Sequence, residues 1–419
     1  MNRRDLLLSP LLAPLASNAQ RPAFRKPMPA GVIEHRRSGI KSIVALKDGA
    51  ILANNGRRSH DQGKTWTEPK AFGAGIQGDG LVRLASGAIL LTQQPPNANK
   101  VHLPTLHVSR DEGATWQTLP ASFPRMFSGP NFFGDELIQT KSGRLIWPCS
   151  IDFNPKFPEF LYENVQARSE WRGKLYQTEG HQHLPEIYLT FIAYSDDEGR
   201  SWTLVEGYYK SPLALWGWFD ERGIPNGYGG HSSFGECTAA ETRDGRILVY
   251  GRSEVGRIVS TYSDDNGITW HSPLPKDLAN SGSPVRLRRI EKNGDLMIVW
   301  NQVSHEEIRR GYRRGRLSTA ISRDNGETWG HFKTLELSEG LEDMTHVAPE
   351  YPIKMTRARD FVGRIPDNYA YFHYANAKFA GDQVYIQYLR GSPALGIAEQ
   401  GLGEQEDVLR IYPLEWFYS

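Results

Sequence analysis

Glu236 and Arg252 stand sixteen residues apart, flanking a segment, Thr238 to Tyr250, that reads as a hairpin turning at Asp244-Gly245. On residue type alone they make a solvated cross-strand ion pair. The run Arg313-Arg314-Gly315-Arg316, with Arg309 and Arg310 just upstream, offers planar forks that grip a carboxylate with two parallel hydrogen bonds, or simply a basic solvated loop. An aromatic-rich strand carries Tyr369, Tyr371 and Tyr374. His181-Gln182-His183 followed by Glu186 has the donor types of a metal site. No convincing further ligand lies nearby, so the cluster reads as a rim loop and no metal or other cofactor is expected. The two cysteines, Cys149 and Cys237, exclude a disulfide-rich scaffold and a cysteine-based zinc site. They could form one bridge or remain two buried free thiols.

These residues need a scaffold, and the scaffold is written as a repeat. Five segments share the pattern Ser-x-Asp-x-Gly-x-(Ser/Thr)-Trp: Ser59 to Trp66, Ser109 to Trp116, Ser195 to Trp202, Ser263 to Trp270 and Ser322 to Trp329. The aspartate can accept backbone N–H bonds in a tight turn, glycine supplies a positive φ, and tryptophan is an apolar cap. Such a turn joins two neighbouring antiparallel strands, and Ile258 to Tyr262 and Leu317 to Ile321 read as the strands that enter it.

Upstream of each box lies an apolar hairpin with a glycine turn. Ser42 to Leu52, Leu81 to Leu91, Leu137 to Trp147, Thr238 to Tyr250 and Val285 to Trp300 are the five, and Ala375 to Tyr388 is a sixth with no box after it. Each unit is then hairpin, third strand, turn, fourth strand. The chain is predicted to be all-β, a six-bladed β-propeller with four-stranded antiparallel blades and five Asp-containing boxes. Residues near Val32 to His35 are placed to complete the sixth blade. The main insertion, Ser150 to Pro185, forms loops on one face.

Composition agrees with one folded domain. In 419 residues, 39% are hydrophobic and 23% charged, which rules out a disordered chain, and the 41 glycines and 26 prolines suit many tight turns. A net charge of +1 gives no basic excess of the kind nucleic-acid binders carry. At the N-terminus, Arg3-Arg4 precedes the apolar run Leu6 to Ala16 and the small residues Ser17-Asn18-Ala19. This reads as an export signal over residues 1–19, with the paired arginines pointing to the twin-arginine route and a general secretory signal as the alternative. Residues 20–419 are then one propeller domain, periplasmic or secreted. The apolar run is too short to span a bilayer, and no later stretch is long enough.

The boxes resemble the Asp boxes, or BNR repeats, of the sialidase (neuraminidase) superfamily, over the chain from about Val32 to its end. The resemblance implies a site at one end of the propeller axis where three arginines hold the substrate carboxylate. It also implies a tyrosine nucleophile, a glutamate that activates it and an aspartate acid/base. Glu236 to Leu248 resembles the family's glutamate-bearing strand and turn, and Arg252 falls where its second arginine follows. For the third arginine the best register is Arg314, with Arg313 and Arg316 as alternatives. Tyr374 is the candidate nucleophile, with Tyr369 and Tyr371 as competitors. His231, five residues before Glu236, is a candidate for the pocket wall.

The first unit departs from the family pattern. The family's Tyr-Arg-Ile-Pro is replaced by His35-Arg36-Arg37-Ser38-Gly39-Ile40-Lys41, and strict spacing puts Gly39 at the arginine position. Arg37 fits with a small shift, Arg36 less readily. The family's aspartate is also missing, because Ile51 to Ser59 has no carboxylate; Asp79 is the nearest candidate acid. The expected function is an exported sialidase-like exo-glycosidase acting on terminal acidic sugars of a glycan. A hydrolase of another sugar, a uronate lyase and a non-catalytic glycan-binding propeller are the alternatives. Oligomeric state is not legible.

Overall fold

In the computed structural model the described residues are 26–94, 103–124, 130–152, 168–171, 174–177, 188–205, 214–215, 230–231, 234–253, 256–304, 306–307, 310, 312, 314–349, 366, 369–391 and 405–419. The segment read as an export signal lies outside them. Six antiparallel sheets stand around an axis, each meeting the next through its innermost strand. The second, fourth and fifth blades each run strictly in chain order from the axis outward, as in Gly235–Glu241, Ile247–Arg252, Arg257–Ser263 and Leu274–Ala279. In the first blade three strands are regular, and the fourth rank is Thr67, whose N–H bonds the Arg58 carbonyl at 2.9 Å. In the third blade the innermost strand is split into Pro130–Phe132 and Ile138–Gln139 by a 3-10 turn, Gly134–Glu136, which carries Asp135 and Glu136.

The sixth blade closes the ring. Its inner three strands are Tyr371–Ala380, Gln383–Gly391 and Glu406–Pro413, and its outermost strand is Ile33–Arg36 from the other end of the chain. Ile33 pairs with Ile411 and Arg36 with Val408. This explains why six blades carry five boxes. A box joins third and fourth strands, and in the closing blade those two strands are not consecutive in sequence.

Strands between blades are packed on both faces. Leu296–Trp300 is buried at every residue, so it reads as an apolar run rather than as alternation. Its side chains join Leu248 and Tyr250 of the fourth blade in one core cluster. The boxes fasten the same seams. In the first box Asp61 Oδ1 accepts the Thr65 N–H at 2.9 Å, and the Ser59 hydroxyl accepts the Gly63 N–H at 2.7 Å and donates to Asp61. These hydrogen bonds hold the Asp61 carboxyl down at about 2, the Thr65 hydroxyl contributing most. A side chain at Gly63 would collide with Ile411 of the sixth blade, and one at Gly326 would meet Leu248 of the fourth at 2.7 Å. Only glycine, with φ near +86° and +85° there, lets the turn press on the preceding blade.

Among the described residues no helix is long and apolar enough to cross a membrane. Cys149 and Cys237 are free buried thiols, so of the two readings the unbridged one holds. Burial pushes the Cys237 thiol up to about 12.

Candidate active site

The antiparallel order puts the start of every inner strand at one end of the ring and the boxes at the other. At the starts of two inner strands the ladder slips by one residue. Gly235 pairs with Arg252 but Thr238 with Tyr250, and His373 pairs with Leu389 but Asn376 with Gln387. Three steps on one strand face two on its partner, which is a β-bulge. The first inserted residue of each bulge has a left-handed backbone: Glu236 at φ 47° and Tyr374 at φ 48°. A bulge re-aims a side chain, and here both aim into the same place.

Tyr374 Oη donates to Glu236 Oε1 at 3.3 Å. Arg252 Nη1 donates to the other oxygen, Oε2, at 2.9 Å. Arg314 lies over the phenol, its guanidinium carbon 5.6 Å from the centre of the Tyr374 ring. Glu236 is 6% exposed, whereas Tyr374 is 36% exposed and opens to solvent. Burial works against the Glu236 charge, but Arg252, Arg314 and Arg286 outweigh it and bring the carboxyl below its ordinary value. The Glu236 charge, followed by burial, raises the Tyr374 phenol, against the pull of Arg314 and Arg252. At neutral pH the pair is therefore an ionised carboxylate accepting from a neutral phenol.

Four sequence-read residues thus come together: Glu236, Arg252, Arg314 and Tyr374. The alternatives fall elsewhere. Arg316 is buried and makes two bonds to the Glu307 carboxylate, at 2.9 and 2.7 Å. Tyr369 is fully buried in a stack with Tyr312, ring centres 5.2 Å apart. Tyr371 is half-buried and begins the strand, three residues before Tyr374. Arg313 lies outside the described residues, as do His181, His183 and Glu186. Of His231 only the backbone is described, paired with Ala214.

Arg37 sits on the crossover from the sixth blade to the first, with φ 53° and an exposed side chain. Asp407 shapes that crossover by accepting from Ser38 Oγ at 3.0 Å and from the Gly39 N–H at 2.8 Å. Gly39 itself has φ +66°, and a Cβ there would press on Asn55 at 3.2 Å. The position that strict spacing gives to an arginine is a tight turn in this chain. Asp79, at the start of the second blade, accepts the Gln94 N–H at 2.7 Å and has Lys41 Nζ 3.9 Å away. It shares the rim, held by partners different from those of the Tyr374–Glu236 pair.

Beneath the pocket the axis is filled with paired charge that our reading of the sequence did not single out. Glu136 lies 2.8 Å from Arg286 Nε and 3.0 Å from Arg288 Nη1, and Asp135 takes Lys378 at 2.9 Å. Arg288 also donates to the Asn376 side chain at 2.7 Å, two residues beyond Tyr374. Burial opposes the Glu136 charge, but the two arginines hold it ionised, at about 2. The signal was present as arginines alternating in Val285-Arg286-Leu287-Arg288, an inner strand whose axis-facing positions are charged.

A family model described as "BNR repeat-like domain" matches residues 81–376. Solved structures with a similar chain path include a protein of unknown function from Dyadobacter fermentans DSM 18053, at 16% identity and TM-score 0.48, covering 90% of this chain and 94% of that one. The K499G mutant of NanB sialidase from Streptococcus pneumoniae matches at 12% identity and TM-score 0.48, over 91% of this chain and 68% of that one. Trypanosoma rangeli sialidase in complex with sialic acid matches at 15% identity and TM-score 0.45, over 90% and 54%. With five Asp boxes in the sequence, a closed ring of six blades and a family match over more than half its length, the chain belongs to the BNR repeat-like family.

Proposed function

We propose that the protein is a glycoside hydrolase that removes a terminal acidic sugar from a glycan with retention of configuration. The carrying observation is the 3.3 Å contact between Tyr374 Oη and Glu236 Oε1, with Arg252 on the second oxygen at 2.9 Å. In this reading Tyr374 attacks the anomeric carbon as its proton passes to Glu236, and the glycosidic oxygen leaves with a proton from an acid. Water then releases the sugar from the tyrosyl intermediate. A neutral phenol suits this task because a carboxylate nucleophile would be repelled by the sugar's own carboxylate. Arg252 and Arg314 supply the forks for that carboxylate, with Arg37 and His231 at the rim. Asp79 is the acid in this scheme. Export through residues 1–19 belongs to the same reading and would bring the enzyme to extracellular glycans.

A uronate lyase is the second reading. It is favoured by Ile51 to Ser59, which has no carboxylate, and by Asp79 being held by Gln94 and Lys41. The deciding experiment incubates the purified protein with a fluorogenic sialoside beside uronide and neutral glycosides. Release from the sialoside supports the proposal. Release from another sugar moves the substrate, an ultraviolet-absorbing unsaturated product selects the lyase, and binding with no product makes the propeller a glycan-binding module.

A further inference from the structure

We propose that His373 is a positioning residue that aims the Arg314 guanidinium without a carboxylate paired directly to it, so that it stays open for an anionic ligand. The inference deepens the reading above and rests on it for the class of ligand.

Arg314 Nη1 lies 2.7 Å from His373 Nδ1. An arginine can only donate, so Nδ1 must be bare and the imidazole neutral, with its proton on Nε2. The contact is braced on both sides. The Phe372 N–H bonds the Arg314 carbonyl at 2.9 Å, which ties the two segments together, and the Tyr371 ring lies along the imidazole with centres 5.8 Å apart.

The other arginines here are oriented by carboxylates: Arg252 by Glu236 and Arg316 by Glu307. A carboxylate aims a guanidinium well but cancels its charge. Among the described residues no carboxylate pairs directly with Arg314. A neutral acceptor gives the aim without the cancellation, and a protonated imidazole could not accept at all. His373 faces Arg314 from the fifth blade and Tyr371 from its own strand, and Arg314 in turn feels the charges of Arg252 and Glu236 and the Tyr374 phenol. Burial, followed by the Arg314 charge, pushes the imidazole down to about 3. It therefore stays an acceptor through the mildly acidic range.

The test uses the full-length protein and three readouts. In nitrogen NMR of the unmodified protein, His373 should show a bare Nδ1 and should not titrate above pH 4 or so; titration near the ordinary histidine value overturns the proposal, even if every variant unfolds. In ligand-free protein, His373→Asp should raise the titration of the Tyr374 phenol, whereas His373→Asn, which keeps a neutral acceptor, should not; equal behaviour of the two overturns it. With N-acetylneuraminate and glucuronate as calorimetric probes, His373→Asn should hold affinity near that of the unmodified protein. His373→Asp should lose roughly ten- to a hundredfold. Asn and Asp variants that bind alike overturn the proposal. If the first two readouts come out as expected and neither sugar binds the unmodified protein, the positioning role stands and the acidic-sugar reading fails.

Discussion

Glu236 and Tyr374 occupy the same irregularity on two different blades: each is the left-handed residue of a one-residue bulge near the start of an inner strand, and the two side chains meet at 3.3 Å. A non-glycine residue in that conformation costs of order 1–3 kcal/mol, so each is held by the ring around it. The Glu236 N–H is fixed by Ser150 Oγ at 3.0 Å, and Asn376, just past the Tyr374 bulge, by Arg288.

Tyr374→Phe should abolish turnover and leave the fold intact. The phenol oxygen faces a partly open pocket, and one hydrogen bond there contributes about 1 kcal/mol. Full activity with an unchanged melting curve would rule out the tyrosyl mechanism.

Glu236→Gln should lower turnover by about 10²–10⁴-fold while sparing substrate affinity more. It should also bring the Tyr374 phenol down, because the Glu236 charge is the largest cause of its rise. On the proposed mechanism, activity of the unmodified protein should fall with acid only below the ordinary carboxylate value of 4.5, since Glu236 is shifted downward. An acid limb above that value would point to a different base.

Arg252→Ala removes the partner of a nearly buried carboxylate. Broken buried pairs cost 3–5 kcal/mol, and the partly exposed Arg252 head reduces this to about 2 kcal/mol. Chemical denaturation reads the loss. Arg252→Lys keeps the charge but not the fork, so KM should rise more than kcat falls.

His373 gives stability a pH dependence. Its folded value is about 3 against 6.5 when unfolded, so the unfolded chain binds the proton between those values. Its contribution is complete above pH 6.5 and is lost as pH falls towards 3, with a slope of up to about 1.4 kcal/mol per pH unit. His373→Asn should flatten that part of the stability profile. An identical slope in the variant would place the titrating group elsewhere.

Glu34→Gln should destabilise the whole ring. Glu34 takes Arg410 at 2.9 Å, and Arg410 reaches Glu336 of the fifth blade at 2.8 Å, all three nearly or fully buried. Loss of the Glu34 charge should cost about 3 kcal/mol and appear as one cooperative drop in melting temperature.

The repeat made the architecture legible. Ser, Asp, Gly and Trp at fixed intervals fix a turn, and the turn fixes a blade, so the blade count and the closing strand near Val32 to His35 follow from local chemistry. The nearness of Glu236 to Arg252 was readable for the same reason, since a hairpin turning at Asp244-Gly245 brings them together, although the bulge puts Gly235 rather than Glu236 opposite Arg252. Three things were not readable. Glu236 and Tyr374 meet because of bulges, and nothing in Gly235-Glu236-Cys237 or His373-Tyr374-Ala375 announces an extra residue in a ladder. Arg314 had the best register but Arg316, two residues on, stayed an alternative; Arg316 is claimed by Glu307, which the fold brings in. His373 was not singled out at all, because its role depends on which way a neighbouring guanidinium points.

Closure of the ring has a kinetic consequence. Glu34 and Arg410 are 376 residues apart in the chain, and joining such distant points by an otherwise unstructured loop costs about 5 kcal/mol in chain entropy plus a constant. Once five blades have formed, that loop is already wound into structure and the entropy has largely been lost to nearer contacts. The last strand then docks onto a prepared edge. Folding should therefore finish with a late step at the seam between Ile33–Arg36 and Glu406–Pro413, and that seam should be the first place where amide hydrogens exchange when the ring breathes.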